Sequence, residues 1–165
     1  MTLKNKWGGS GIERSTFDYI SKLIRHGSVF LELGAGKVST REFSKIFNLY
    51  SVEQDKQYCG IYENLKYIHA EYKNGWYDVE ALKSQLPNKI EAIFVDGPSG
   101  EGNRGGFLEN IHIFDLAENA VIIFHDTYRA PENKLAKDVA AKLGMKLKEY
   151  ADDDYFIVVS NRDDI

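Results

Sequence analysis

From Gly27 onward the sequence alternates short runs of β-branched, aromatic and aliphatic residues with segments whose apolar residues recur at helical spacing. No other feature constrains the fold as strongly, because such alternation produces a parallel sheet covered by helices. The runs are Val29 to Leu33, Leu49 to Glu53, Tyr67 to Ala70, Ala92 to Asp96 and Ala120 to Asp126. They are nearly unbroken by charge, as strands buried on both faces are. Between them lie the stripes Phe43, Ile46 and Phe47; Val79, Leu82 and Leu86; Phe107, Ile111 and Phe114; and Leu135, Val139 and Leu143, each able to cover the sheet. Ser39 and Glu42 have the spacing of a capping box, Pro87 follows Leu86, and Gly144 stands just past the last stripe, so all three read as helix boundaries. An amphipathic helix with Phe17, Ile20, Leu23 and Ile24 precedes the first strand. Met145 to Tyr150 and Tyr155 to Val159, joined by Ala151 to Asp154, end the chain in an antiparallel hairpin, which makes seven strands in all.

A chain of 165 residues fits one domain, since domains run to roughly 100 to 200 residues. Residues 1–26 form an amino-terminal segment with a cover helix, and 27–165 the main body. The net charge of -4, with no long run of either sign, argues against nucleic acid or an anionic membrane as partner. Cys59 is the single cysteine and cannot form an internal disulfide. No apolar stretch approaches the roughly 20 residues that cross a bilayer. Met1 to Ser15 lacks the apolar core of a signal peptide, so a cytoplasmic setting is expected.

In open α/β sheets ligands lie beyond the carboxyl ends of the strands, where the strand order reverses. The first strand runs into ELGAGKVST, with Glu32, Gly34 and Gly36; glycines there let a ligand lie against bare backbone. Glu53 ends the second strand 19 residues after Gly34, where a carboxylate accepts hydrogen bonds from both hydroxyls of a ribose. An adenosine-type cofactor follows. Ser39 stands where a dinucleotide fingerprint has its third glycine, which weakens NAD without excluding it. Leu31 stands where a phosphate-binding P-loop has its first, which removes ATP by that route. GPSG is not a hydrolase elbow, because Glu101 replaces the glycine that elbow needs.

Further along come WYD at Trp76 to Asp78, VDGPSG at Val95 to Gly100 and FHDTYR at Phe124 to Arg129. With ELGAG and SVEQD, in this order and spacing, the chain resembles the class I S-adenosylmethionine-dependent methyltransferases over nearly its whole length from Gly27. It looks like the bacterial enzymes of glycan and small-molecule pathways and, more distantly, the plant glucuronoxylan methyltransferases. The resemblance implies an α/β, Rossmann-like doubly wound sheet of seven strands in the order 3-2-1-4-5-7-6, strand 7 antiparallel, which agrees with the terminal hairpin. It places Gly34 and Gly36 against the methionine part and ribose of the cofactor, Glu32 near its ammonium group and Glu53 on the ribose hydroxyls. The adenine would lie near the end of strand three, by His69, Ala70 or Glu71. An NAD- or nucleotide-sugar-linked Rossmann enzyme and a non-catalytic S-adenosylmethionine-binding module are the competing readings.

Strands four and five end in Asp96 and Asp126, and adjacent strands about 4.8 Å apart can bring two such carboxylates onto one ion. Similarity to catechol O-methyltransferase-like enzymes implies Mg2+ or another divalent cation on Asp96 and Asp126, with His125 as base or third ligand. A metal-free variant gives His125 the base role and leaves the two aspartates to orient it or the acceptor. Both aspartates also suit plain turn roles. Glu101 to Gly106 reads as a mobile lip on which Arg104, with Arg129 nearby, grips an acidic or phosphorylated substrate. Trp76 and Tyr77 would wall the pocket, and Trp7 with Gly8 to Gly11 could fold over it. His26, His112 and Asp152 to Asp154 read as surface. The expected activity is O-methylation of a small molecule or sugar/glycan precursor, with the oligomeric state open.

Overall fold

The computed structural model describes Trp7 and residues 11–165; the part of the expected flap at residues 8–10 lies outside the described residues. In chain order the strands are β1 (Val29–Leu33), β2 (Asn48–Glu53), β3 (Lys66–His69), β4 (Tyr72–Lys73), β5 (Trp76–Tyr77), β6 (Ile90–Val95), β7 (Leu116–His125), β8 (Lys146–Ala151) and β9 (Tyr155–Ser160). Seven of them form one sheet in the order β3-β2-β1-β6-β7-β9-β8. Once the short pair β4 and β5 is set aside, this is the expected order 3-2-1-4-5-7-6. β9 runs antiparallel to both β7 and β8, and the other pairings are parallel.

The helices are α1 (Arg14–Leu23), α2 (Ser39–Ser44), α3 (Val79–Lys83), α4 (Gly106–Glu109) and α5 (Ala130–Leu143). Because side chains alternate across a strand, the sheet splits its apolar residues between two cores. Leu31, Leu33, Ile93, Val95, Ile122 and Phe124 pack with Leu82, Phe107, Leu135 and Val139. Phe30, Phe94, Val121 and Ile123 pack on the other face with Ile20, Leu23, Phe43 and Phe47. The amino-terminal helix is thus part of the same core as the sheet. Among the described residues no helix is long and apolar enough to cross a membrane.

Local expectations hold in part. Gly144 closes α5 with a left-handed φ of 63°, a conformation in which glycine carries no Cβ penalty. The capping box does not form. Val38, with helical dihedrals and no side-chain cap, precedes α2, and the Ser39 hydroxyl turns instead to Glu32. α2 ends at Ser44, before Ile46 and Phe47. Sequence reading also missed the ribbon β4–β5, whose Asn74 and Gly75 both have positive φ, 53° and 88°. An Asn-Gly pair is the residue choice that a tight hairpin turn selects.

Candidate functional site

Every element that matters for the site converges at the carboxyl edge of the sheet. There the turn after β1 and the turn after β6 lean backbone on backbone. Gly34 has φ 97°, and a Cβ added to it would lie 2.7 Å from the carbonyl oxygen of Asp96. A Cβ on Gly97 would strike the Tyr77 hydroxyl and Gly34 itself. Gly34 is therefore required by packing before any ligand arrives, and Gly97 is a partner that sequence reading overlooked.

Beneath this turn lies Glu32, expected near the ammonium group of the cofactor; it does not border the cleft. It is fully buried, and its carboxylate accepts from Ser39 Oγ at 2.5 Å, Thr40 Oγ1 at 2.6 Å and Ser51 Oγ at 2.7 Å. Burial pushes its carboxyl up to about 7 against the pull of those three donors. Thr40 Oγ1 in turn accepts from the Gly36 N–H at 2.8 Å. Glu32 thus fastens the glycine loop from below; it borders neither lobe of the cleft, whereas Ser39, which it holds, borders the larger.

The cleft above has two lobes that share Glu53 and Asp96. The larger, about 810 Å³, runs from Gly36 and Lys37 past Glu53 to Tyr58, Tyr62 and Tyr67. Glu53 is 8% exposed, and its Oε1 accepts from the Asp55 N–H at 2.9 Å. The Tyr62 hydroxyl donates to the Lys37 carbonyl at 2.6 Å, tying the segment after β2 across the lobe. Ala70 is wholly buried and does not line this lobe, while His69 and Glu71 border a separate shallow hollow. The aromatic wall comes instead from Tyr58 and Tyr62 in the β2–β3 connection and Tyr67 on β3.

The smaller lobe, about 320 Å³, is bordered by Tyr77, Asp96, Arg104, His125, Asp126 and Arg129. Asp126 sits just past β7 with φ 57°, a left-handed turn that aspartate tolerates better than most residues. The turn lets consecutive residues His125 and Asp126 face the same site. Nδ1 of His125 lies 3.0 Å from Asp96 Oδ1, and Nε2 lies 3.0 Å from Asp154 Oδ2. Asp154 also accepts from Thr16 Oγ1 at 2.6 Å. Burial disfavours a charged imidazole, but Asp96 and Asp154 outweigh it and raise His125 to about 10. In the same exchange Asp154 falls to about 2, its own burial overcome by His125 and Thr16. Both ring nitrogens of His125 are engaged by carboxylates that favour its charged form, which does not suit the expected role of base.

Arg104 is the largest departure from the expected mobile lip. Its side chain is 5% exposed. Nη2 donates to Asp96 Oδ1 at 3.1 Å and to Asp126 Oδ2 at 2.9 Å, and Nη1 donates to the His125 carbonyl at 3.0 Å. Arg129 completes the set, with Nη1 3.3 Å from Asp126 Oδ2. Asp96, His125 and Asp126 each offer a donor atom within 4.8 Å of the others, a spacing suited to one metal ion, but the guanidinium of Arg104 stands between the two carboxylates.

The two aromatics of the WYD motif part company. Trp76 is buried against Gly106, where a Cβ would collide with its indole, and it borders a different hollow from the cleft. Tyr77 does border the smaller lobe, and among the described residues its buried hydroxyl has no hydrogen-bond partner. Burial holds that phenol well above its usual range. Trp7 packs on Phe17 with ring centroids 5.3 Å apart, and Gly11 borders both lobes. Asp154 and Thr16 were missed. A topological signal existed for Asp154: a strand antiparallel to β7 must begin beside the end of β7, as the pairing of His125 with Phe156 shows.

No family model matches the sequence, and no curated protein does either. Solved structures do. A putative caffeoyl-CoA O-methyltransferase from Staphylococcus aureus is similar with a TM-score of 0.63 at 17% identity, over 90% of this chain and 84% of that one. An rRNA methylase from Streptococcus thermophilus is similar with a TM-score of 0.56 at 13% identity, over 88% of this chain and 93% of that one. Fibrillarin from Aeropyrum pernix, in complex with natively bound S-adenosyl-L-methionine, is similar with a TM-score of 0.57 at 15% identity, over 82% of this chain and 67% of that one. At such identities the likeness speaks to architecture, and the strand order agrees with it. The chain has the Rossmann-like fold of the class I S-adenosylmethionine-dependent methyltransferases.

Proposed function

We propose that this protein is a methyltransferase that uses S-adenosylmethionine to methylate an oxygen of a small molecule or sugar. The observation that carries the reading is the cleft itself: the Gly34–Gly36 turn, Glu53 and Asp96 border two connected lobes at the carboxyl ends of β1, β2 and β6. The larger lobe, at about 810 Å³, is of the size that encloses a cofactor. Its features match the parts of the ligand: tyrosines for a purine, the Glu53 carboxylate for a ribose diol.

When bound, S-adenosylmethionine supplies an electrophilic methyl group on sulfur. The chain's own residues hold the acceptor in line with it. Asp126 borders the acceptor lobe and not the larger one, so we assign it the proton lost by the acceptor hydroxyl. Asp96 borders both and orients the acceptor, while His125 holds Asp96 in place. Arg129, about a quarter exposed at 27%, is the cation available to an acidic group on the acceptor. The carboxylates around the lobe and the net charge of -4 favour a small acceptor over a polyanionic nucleic acid. A cytoplasmic enzyme is the setting assumed.

Calorimetry with S-adenosylhomocysteine and with NAD tests the cofactor. Binding of the first and not the second is expected; the reverse would assign the cleft to the dinucleotide class. Turnover of the methyl donor over a panel of sugars and phenols then separates an enzyme from a non-catalytic binding module.

A further inference from the structure

The ends of β6 and β7 suit a divalent ion in their spacing and fail it in their contents. Mg2+ lies about 2.1 Å from its ligand oxygens and Ca2+ about 2.3 to 2.6 Å, so an ion shared by Asp96 and Asp126 must sit between their carboxylates. Nη2 of Arg104 already lies there, 3.1 Å from Asp96 Oδ1 and 2.9 Å from Asp126 Oδ2.

This guanidinium is built into the floor of the cleft. Nη1 donates to the His125 carbonyl at 3.0 Å, and the Arg104 carbonyl accepts from Phe107 N–H at 3.0 Å as the chain enters α4. Phe107 itself is fully buried in the core, so the backbone that carries Arg104 is anchored. His125 has no ring nitrogen to spare for a metal, because Nδ1 and Nε2 each lie 3.0 Å from a carboxylate oxygen. Asp126 already faces two guanidiniums, those of Arg104 and Arg129, at 2.9 and 3.3 Å. A doubly charged ion on Asp126 would have to compete with both of them.

We infer that Arg104 stands in the place of a divalent cation, so that Asp96 and Asp126 are bridged by a side chain and this cleft binds no metal. Arg104 is a positioning residue: it acts on the reaction through the two carboxylates it holds. The inference is independent of which cofactor fills the larger lobe.

Titration of the full chain with Mn2+, followed by electron paramagnetic resonance, is the test. The wild type should leave Mn2+ free up to millimolar concentration. Arg104→Ala removes the internal cation and should take up a single Mn2+ at least about tenfold more tightly than the wild type. Arg104→Gln carries the same expectation if the alanine variant does not melt cooperatively. Stoichiometric Mn2+ uptake by the wild type overturns the inference. So does a folded Arg104 variant that gains no affinity for Mn2+, since the arginine would then not be occupying an ion's place. S-adenosylhomocysteine calorimetry on the same samples reads the cofactor proposal separately, so the two can fail independently.

Discussion

Nε2 of His125, at the end of β7, lies 3.0 Å from Oδ2 of Asp154, at the tip of the β8–β9 hairpin. That contact closes a polar chain in which Thr16 on α1 donates to Asp154, Asp154 meets His125, and His125 meets Asp96. Three elements far apart in sequence are fastened to the carboxyl edge through one imidazole. Asp154→Asn should leave the fold intact and weaken it by about 1.5 to 3 kcal/mol, the worth of a hydrogen bond to a charged group. Urea unfolding of the variant measures the loss.

The same chain sets a pH dependence. His125 titrates near 6.5 when free and at about 10 in the fold, so its contribution is complete below 6.5 and drains away as the pH climbs through 10. Asp154 works in the opposite sense: its contribution is complete above 3.8 and is lost as the pH falls towards about 2. Melting temperatures of the wild type should therefore decline on the alkaline side, and His125→Asn should flatten that decline.

Glu32 predicts a third pH effect. Its carboxyl moves from 4.5 to about 7 on folding, so the native state holds the proton longer and stability falls as the pH rises across that interval. Glu32→Gln should remove this slope. Glu32→Ala should cost about 2 to 4 kcal/mol, because it leaves the hydroxyls of Ser39, Thr40 and Ser51 without their shared acceptor. It should also loosen the glycine loop through Thr40, which weaker S-adenosylhomocysteine binding would reveal.

The architecture was legible because each buried strand carries its own signal: five apolar runs for the parallel strands and the ADDD turn for the hairpin. Position in the site was legible where a residue lies at a strand end: Glu53, Asp96 and Asp126 do, and all three border the cleft. The burial of Glu32 was legible in its parity. It shares a strand face with Phe30, which points into the core beneath α2. Arg104 had no such signal, since a glycine-rich loop looks the same in sequence whether its arginine points to solvent or into a pair of carboxylates.

Cofactor binding and turnover should separate by residue. Glu53→Ala should weaken S-adenosylhomocysteine binding by about 1.5 to 3 kcal/mol, one charged hydrogen-bonding contact. Asp126→Ala, which changes only the acceptor lobe, should leave that affinity unchanged and remove methyl transfer. Calorimetry on both variants, with donor turnover against the sugar and phenol panel, checks this division.

The central claim is that an adenosyl cofactor lies in the cleft above Gly34 and Gly36, and a crystal structure with S-adenosylhomocysteine tests it most directly. The account predicts the ribose hydroxyls on the Glu53 carboxylate, the purine among Tyr58, Tyr62 and Tyr67, and the sulfur facing the lobe that holds Asp96 and Asp126. Crystals soaked with the ligand whose cleft stays empty, or which bind it away from Glu53, would contradict it.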